Sequence, residues 1–304
     1  MEKEPLVYLN GKFVDKSKAT VSIFDHGLLY GDGVFEGIRA YNGTVFQLEA
    51  HMTRMFDSAK FIQLEMPVSR DELTEAILAT IRRNHLRDAY IRVVVTRGVG
   101  DLGIDPALCR AATIFVIAEP VQSVFSTKGP KVYNLIIASV RRDSVDATSH
   151  EVKSLNYLNS VMAKIEANNA GANDAILLDS RGFVSEAVAT NVFLVKDRRI
   201  STPASSAGIL HGITRARIIK LCLDLGFELA ERDVTPFELL TADEAFLVGT
   251  KGELIAIGSI NNKRIGSGGV GPMTRRIYQE FARIVQSREE GVPVYETESP
   301  KLEE

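Results

Sequence analysis

The sequence predicts an α+β fold in two domains, and three observations carry that expectation. Hairpins with Asn-Gly turns are interleaved with amphipathic helices, which argues against a doubly wound sheet. The 304 residues correspond to about two domains at roughly 150 residues each. A less periodic stretch, VQSVFSTKGPK, holds Gly129-Pro130 and separates two structured halves. The expected division is a small α/β domain over 1–122, a linker at 123–130 and a larger α+β domain over 131–304.

The elements follow in order. LVYLNGKFV reads as a hairpin turning at Asn10-Gly11, and VFEGIRAYNGTVF repeats it at Asn42-Gly43. In QLEAHMTRMFDSAKFI, Leu48, Met52, Met55, Phe56 and Ala59 recur at helical spacing. Ser69 and Glu72 form a capping-box start for a helix reaching Asn84. AYIRVVVTRG and AATIFVIAEP are β-branched central strands, and KVYNLIIASV is a further strand. A helix is predicted from Leu155 to Ala170, ended by Gly171. DAILLD, FVSEAVATNVFLVK, RRISTP, FELAERDV, EAFLVGT and GELIAIGSI read as strands. A helix from Thr214 to Leu225 turns Ile218, Ile219, Leu221 and Cys222 inward. PMTRRIYQEFARIVQ closes the chain as a helix with Pro272 near its first position, and the acidic, Pro-containing tail from Glu289 is expected to be loose.

Composition excludes several functions. The formal charge is −3, with 36 basic and 39 acidic residues interspersed, so no basic stripe suits nucleic acid or an anionic membrane. No apolar run approaches the ~18 residues of a membrane span. The N-terminal MEKEPLVYLNGKF lacks a signal-peptide pattern, and Cys109 and Cys222 read as a buried, reduced pair; a cytoplasmic location is expected. The histidines, His26, His51, His85, His150 and His211, form no HExxH and no cluster at ligand spacing, so no metal is expected, and there is no GxSxG elbow.

Two strings match the dinucleotide fingerprint. The first, Gly98 to Gly103, runs into Ile104-Asp105-Pro106 instead of a helix. The second, Gly266 to Gly271, precedes a helix but follows a hairpin-like NNKR stretch, with no βαβ unit after it. Both read as tight turns. In LHGITRARIIKL, Gly212 permits close backbone approach, and Ile213 and Thr214 open a helix whose first N–H groups suit an anion; an ordinary Thr N-cap is the plain alternative. Lys153 in HEVKSLNYLNS is a surface lysine or a Schiff-base amine. Glu186 lies on an apolar strand where an unpaired carboxylate is costly, and Arg54 could clamp a phosphate. Each residue alone has a structural reading; together they meet the binding demands of pyridoxal 5'-phosphate.

FDHGLLYGDGVFEGIRAY, HMTRMFDSAK, YIRVVVTRGVGDLGIDP, VKSLNYLNSVMAK, LHGITRARIIKL and DEAFLVGT, in this order, resemble the branched-chain aminotransferases of the fold-type IV pyridoxal-phosphate family. The resemblance runs from about residue 6 to 285. It implies the two-domain architecture also found in D-amino acid aminotransferases. It implies that Lys153 carries the cofactor in a Schiff base and shuttles the substrate proton, that Tyr157 bonds the phenolic oxygen, and that Glu186 keeps the ring nitrogen protonated. Arg54, Ile213, Thr214 and Thr250 would hold the phosphate. Phe35, Gly37 and Arg39 would line the substrate side, with Arg92 meeting the distal carboxylate of glutamate. Tyr30 and the loop around Ile104 would come across the interface of a homo-oligomer, at least a dimer. The implied substrates are Leu, Ile and Val as amino donors and 2-oxo acids, with 2-oxoglutarate as acceptor. D-amino acid or (R)-amine transamination and aminodeoxychorismate lyase activity are the alternatives on the same scaffold, and a non-catalytic binding protein is the alternative outside enzymes.

Three departures bear on substrate. Ala187-Val188-Ala189 follows Glu186 where the family often has glycines, which would narrow the space beside the ring. Lys251-Gly252 follows Thr250 where two small residues are typical; Lys251 either binds an anionic substrate or points to solvent. The loop SVDATSHE before Lys153 lacks the expected proline.

Overall fold

The computed structural model describes residues 4–122 and 129–295. The expected linker at 123–130 falls mostly on 123–128, outside the described residues. The chain divides into two compact units, one formed by Met1–Ser123 with Ile284–Glu304 and the other by Val124–Arg283.

In the first unit, β1 (Leu6–Leu9) and β2 (Lys12–Asp15) turn at Asn10-Gly11, and β3 (Gly33–Tyr41) and β4 (Thr44–Phe46) at Asn42-Gly43; all four turn residues have positive φ, as the twist of a two-residue hairpin requires. With β5 (Ala89–Thr96), β6 (Thr113–Pro120) and the C-terminal β16 (Gly291–Pro293) they form a seven-stranded sheet of order β16-β4-β3-β5-β6-β1-β2. Its neighbouring strands pair antiparallel throughout. The strand at 291–293 corrects the expectation of a loose tail for its first residues: Val292 pairs opposite Val45, and Val294 beyond it is buried; the rest of that tail, 296–304, lies outside the described residues. The α1 helix (His26–Tyr30) is one short turn capped by the Asp25 side chain. The next helix, α2 (Leu48–Phe61), buries Leu48, Met52, Met55 and Ala59. In α3 (Arg70–Arg83) the capping box is complete: Glu72 N–H donates to Ser69 Oγ at 3.2 Å, and Ser69 N–H donates to Glu72 Oε2 at 2.7 Å.

The second unit is built on a nine-stranded mixed sheet. Its strands are β7 (Val132–Arg141), β8 (Asp174–Leu178), β9 (Val184–Ala187), β10 (Asn191–Lys196), β11 (Arg199–Pro203), β12 (Leu229–Arg232), β13 (Glu244–Gly249), β14 (Glu253–Ile260) and β15 (Lys263–Arg264). The order is β12-β11-β10-β13-β14-β7-β8-β9, with β15 beside β14. The pairs β7–β8, β14–β7 and β11–β12 are parallel. Leu135, Ile176, Val184, Val192, Leu247 and Ile257 belong to its main core. A helix, α4 (Leu158–Asn169), covers β7 and β8 through Ala163 and Ala167, whose small side chains allow close approach to Ala138, Ala175 and Leu177. It starts at Leu158 instead of the predicted Leu155, because residues 153–157 bend back on themselves, with Ser154 and Tyr157 N–H groups donating to the Val152 and Leu155 carbonyls. The remaining helices are α5 (Ile213–Asp224), α6 (Pro236–Leu240) and α7 (Pro272–Ser287). In α5, Ile218, Leu221 and Cys222 are buried and Ile219 only partly so. Both cysteines are free, but Cys109 is half-buried, which corrects the expectation of a buried pair; burial pushes the Cys222 thiol up to about 12.

Among the described residues no helix is long and apolar enough to cross a membrane.

Candidate active site

The second unit assembles one group of predicted residues. Because 153–157 is a bend and not a helix, Lys153 and Tyr157 face each other: Lys153 Nζ donates to Tyr157 Oη at 3.2 Å. Both side chains are half-buried. Glu186, on β9, is 4% exposed. Its Oε1 accepts from Arg142 Nη2 at 2.5 Å, and its Oε2 accepts from Asn191 Nδ2 at 3.0 Å and from the Leu210 amide at 3.1 Å. Burial pushes the Glu186 carboxyl up, against the pull of Arg142, the Leu210 amide, Lys153 and Arg215. Its charge therefore depends on those partners. Arg142 and Asn191 escaped the sequence reading; an arginine at a strand end and an asparagine opening a strand carry no local signal of a buried partner 44 or 5 residues away.

The Gly212 junction follows. Gly212, in extended conformation, is the N-cap of α5, and no side chain caps this helix. The N-cap is thus Gly212 and not Thr214, and the first amides, those of Ile213 and Thr214, lack an intrahelical partner. A Cβ at Gly212 would collide with Asn191 Oδ1, so the glycine lets this end sit against the residue that also holds Glu186. Thr250 lies at the turn between β13 and β14, where Gly249 packs on Thr190 beside Asn191. The second glycine-rich string shows the opposite arrangement. Glu244 Oε1 and Oε2 accept from the Met273 and Thr274 amides at 3.0 and 2.8 Å, so a carboxylate of the chain itself fills the α7 end.

Amine, carboxylate and uncapped helix end suit the aldehyde, ring nitrogen and phosphate of pyridoxal 5'-phosphate. Of the residues that depart from the family pattern, Val188 packs against the core under α4. Lys251 is exposed at its turn.

The first unit assembles a second group. Phe35, Gly37 and Arg39 alternate along β3 and share a face. Across the ladder Arg92 stands opposite Gly37 and Tyr90 opposite Arg39. Arg92 Nη2 donates to Tyr90 Oη at 3.1 Å, and its guanidinium lies 4.4 Å from the Phe35 ring centroid. A Cβ at Gly37 would strike Tyr90 Oη, so this glycine makes room for the tyrosine. Tyr90 was missed by the sequence reading, although its alternation with Arg92 on β5 marks it. Arg54 sits elsewhere: its Nε and Nη2 donate to Glu36 Oε1 and Oε2 at 2.7 and 2.9 Å, on the opposite face of β3. Glu36 also bonds His51 Nδ1 at 2.8 Å. Burial alone would push the Glu36 carboxyl up, but Arg54 and His51 outweigh it and hold it well below the usual carboxylate range. Tyr30 Oη accepts from the Gly103 amide at 2.9 Å, and Ile104 beside it is 83% exposed.

Residues 33–260 match the family model of class IV aminotransferases. A Methanocaldococcus jannaschii protein, provisionally named a branched-chain-amino-acid aminotransferase, is 49% identical over 290 residues, covering 95% of this chain and 99% of its own. The crystal structure of the Escherichia coli branched-chain amino acid aminotransferase superposes with a TM-score of 0.92 at 33% identity, covering 96% of this chain and 100% of that one. The branched-chain amino acid aminotransferase of Thermobaculum terrenum, in its PLP-bound holo-form, superposes with a TM-score of 0.89 at 30% identity, covering 97% and 100%.

Proposed function

The chain belongs to the class IV aminotransferases, and on that premise we propose that it transfers the amino group of L-Leu, L-Ile and L-Val to 2-oxoglutarate with pyridoxal 5'-phosphate as cofactor. The observation that carries the reading is the Lys153–Tyr157 contact at 3.2 Å in the same unit as the buried Glu186, whose carboxylate feels the Lys153 charge. When bound, the cofactor supplies a conjugated ring that accepts the electron pair of the substrate Cα–H bond. Lys153 Nζ would hold the cofactor at its aldehyde and, as a free amine, would take and return the α-proton. Tyr157 orients that amine and bonds the cofactor's phenolic oxygen. Glu186 would accept the ring N–H, and the amides of Ile213 and Thr214, with Thr250, would hold the phosphate; Arg54, which the resemblance adds to them, has its Nε and Nη2 on Glu36. Phe35 and Gly37 provide an apolar wall with Arg39, and Arg92, braced by Tyr90, meets the distal carboxylate of glutamate. Lys251, exposed at the turn after Thr250, is given no role in this set.

The enzyme works as a homo-oligomer, at least a dimer, in the cytoplasm. Two features support the assembly. Ile23, Phe24, Leu28, Leu102 and Ile104 of the first unit expose apolar surface around Tyr30, and Leu158, Val161, Met162 and Ile165 form an exposed stripe along α4. Two free cysteines are compatible with a reducing compartment. Initial rates on L-Leu, D-Ala and an (R)-amine with 2-oxoglutarate test the reading. L-Leu is expected to be fastest; a faster D-Ala or amine reaction would assign a different member of the scaffold, and no transamination at all would leave only a binding protein.

A further inference from the structure

Arg142 makes three hydrogen bonds in the second unit's site, and no role above uses it. It follows β7, is 4% exposed, and spreads its guanidinium over three segments. Nε donates to the Gly208 carbonyl at 3.3 Å, Nη1 to Ser160 Oγ at 3.1 Å and Nη2 to Glu186 Oε1 at 2.5 Å. Ser160 lies in the first turn of α4, three residues beyond Tyr157. The arginine thus joins the carboxylate to the base of the helix that follows the Lys153–Tyr157 bend.

Glu186 accepts one charged and two neutral hydrogen bonds, and a carboxylate offers about four acceptor positions, so one position is left for a further donor. A ring nitrogen facing that position shares one proton with Glu186. Where the proton rests depends on which member is better stabilised as an ion. A carboxylate this deeply buried favours the neutral acid unless positive charge is fixed beside it. Lys153 contributes positive charge, but its ammonium is lost when the amine joins the cofactor. Arg215 is the other cation acting on Glu186, and its Nη2 is committed to Glu231 and the Pro203 carbonyl at 2.7 and 2.9 Å. Arg142 touches the carboxylate directly, and a guanidinium does not give up its proton in a protein.

We propose that Arg142 is a positioning residue that holds Glu186 as a carboxylate through the Nη2–Oε1 bond and thereby moves the shared proton from the Glu186 carboxyl to the cofactor's ring nitrogen. The inference rests on the aminotransferase reading above. It also sets Arg142 apart from a brace that only ties β7, α4 and the loop at Gly208 together.

The test is 15N NMR of the holoenzyme loaded with pyridoxal 5'-phosphate labelled at the ring nitrogen, in wild type, Arg142→Met, Arg142→Gln and Arg142→Lys. Wild type is expected to give the resonance of a protonated ring nitrogen. Met and Gln, which remove the charge, are expected to move it toward the neutral position and lower kcat about 100-fold. Lys is expected to restore both in large part. If Met does not fold, Gln decides in its place, since it keeps donors and loses only the charge. An unprotonated wild-type nitrogen, or a resonance unmoved in the neutral variants, overturns the proposal while leaving the aminotransferase intact. A wild-type protein that binds no pyridoxal 5'-phosphate removes the functional reading itself, and this inference with it.

Discussion

At the scale of single residues, two buried carboxylates behave in opposite ways. Glu36 has Arg54 on both oxygens and His51 beside it, and its carboxyl is held low; Glu186 has one guanidinium and is pushed up. The sign of each pH effect follows. A depressed folded value means that Glu36 contributes its full stability above the unfolded value of about 4.3 and loses it as pH falls further. Glu36→Gln is therefore expected to cost about 3–5 kcal/mol at pH 7, because Arg54 is left buried without its counter-ion. Urea unfolding at pH 7 and at pH 3.5 checks this: the gap between wild type and variant should narrow at the lower pH, and a gap independent of pH would mean that the charge of Glu36 is not what matters. Lys153→Ala is expected to abolish transamination while the thermal unfolding profile persists, since the side chain is only half-buried and its bond to Tyr157 is to a near neighbour; full turnover by this variant would remove Lys153 from the chemistry. Lys153 and Glu186 were legible in the sequence because a lysine or a glutamate in an apolar run is anomalous on its face. Arg142, Asn191, Glu36 and His51 were not, because their meaning lies in partners that only the tertiary fold supplies.

At the scale of elements, the two glycine–helix junctions show how one local pattern reaches two ends. Gly212 opens α5 with no side-chain cap, whereas Gly271 precedes α7, whose first amides are taken by Glu244. A Cβ at either glycine would collide with the neighbouring side chain, Asn191 or Glu244. Gly212→Ala is expected to raise the Kd for pyridoxal 5'-phosphate at least tenfold, read by absorbance titration, because Asn191 must move and the α5 amides with it; an unchanged Kd would take the phosphate away from α5. Glu244→Ala is expected to cost about 1–2 kcal/mol in urea unfolding, as the loss of a helix N-cap does, with that Kd unchanged. The sequence made the long helices legible through chemical starts and stops, as at Ser69 with Glu72, at Pro272 and at Gly171. It misplaced the start of α4, where Ser154 and Asn156 favour a local bend over a first turn: the Asn156 amide donates to Ser154 Oγ at 3.3 Å. It also missed the short α1 and α6, although Asp25 caps the first and Thr235 with Glu238 forms a capping box for the second.

At the scale of the whole molecule, the strongest remaining signal is apolar surface held ready in the first unit. The segment carrying Ile23, Phe24 and Leu28 and the loop carrying Val99, Leu102 and Ile104 are tied together by hydrogen bonds, the Gly100 amide donating to the Phe24 carbonyl at 3.3 Å among them. Tyr30 Oη accepts from the Gly103 amide, the His26 ring bonds the Asp101 carbonyl at 2.9 Å, and the His26 amide donates to the Gly98 carbonyl at 2.9 Å. Loops fixed in this way have lost their conformational freedom before any partner arrives, so association is spared that entropy cost. Burying a large apolar side chain contributes up to about 2 kcal/mol, and several lie side by side here. The resemblance named Tyr30 and Ile104 as interface residues; the bond that joins their segments spans 73 residues and could not be read from spacing. The double variant Leu28→Glu/Ile104→Glu is therefore expected to sediment as a monomer of about 33.4 kDa. It should also lose transamination, if Tyr30 and Ile104 serve the site of a second copy. Its unfolding should resemble that of wild-type subunits, because both positions are exposed in the single chain and contribute nothing to its core. Sedimentation velocity with a parallel rate assay reads both outcomes. A variant that keeps the wild-type mass would show that this surface is not the contact, and a monomer with full activity would show that one chain holds a complete site.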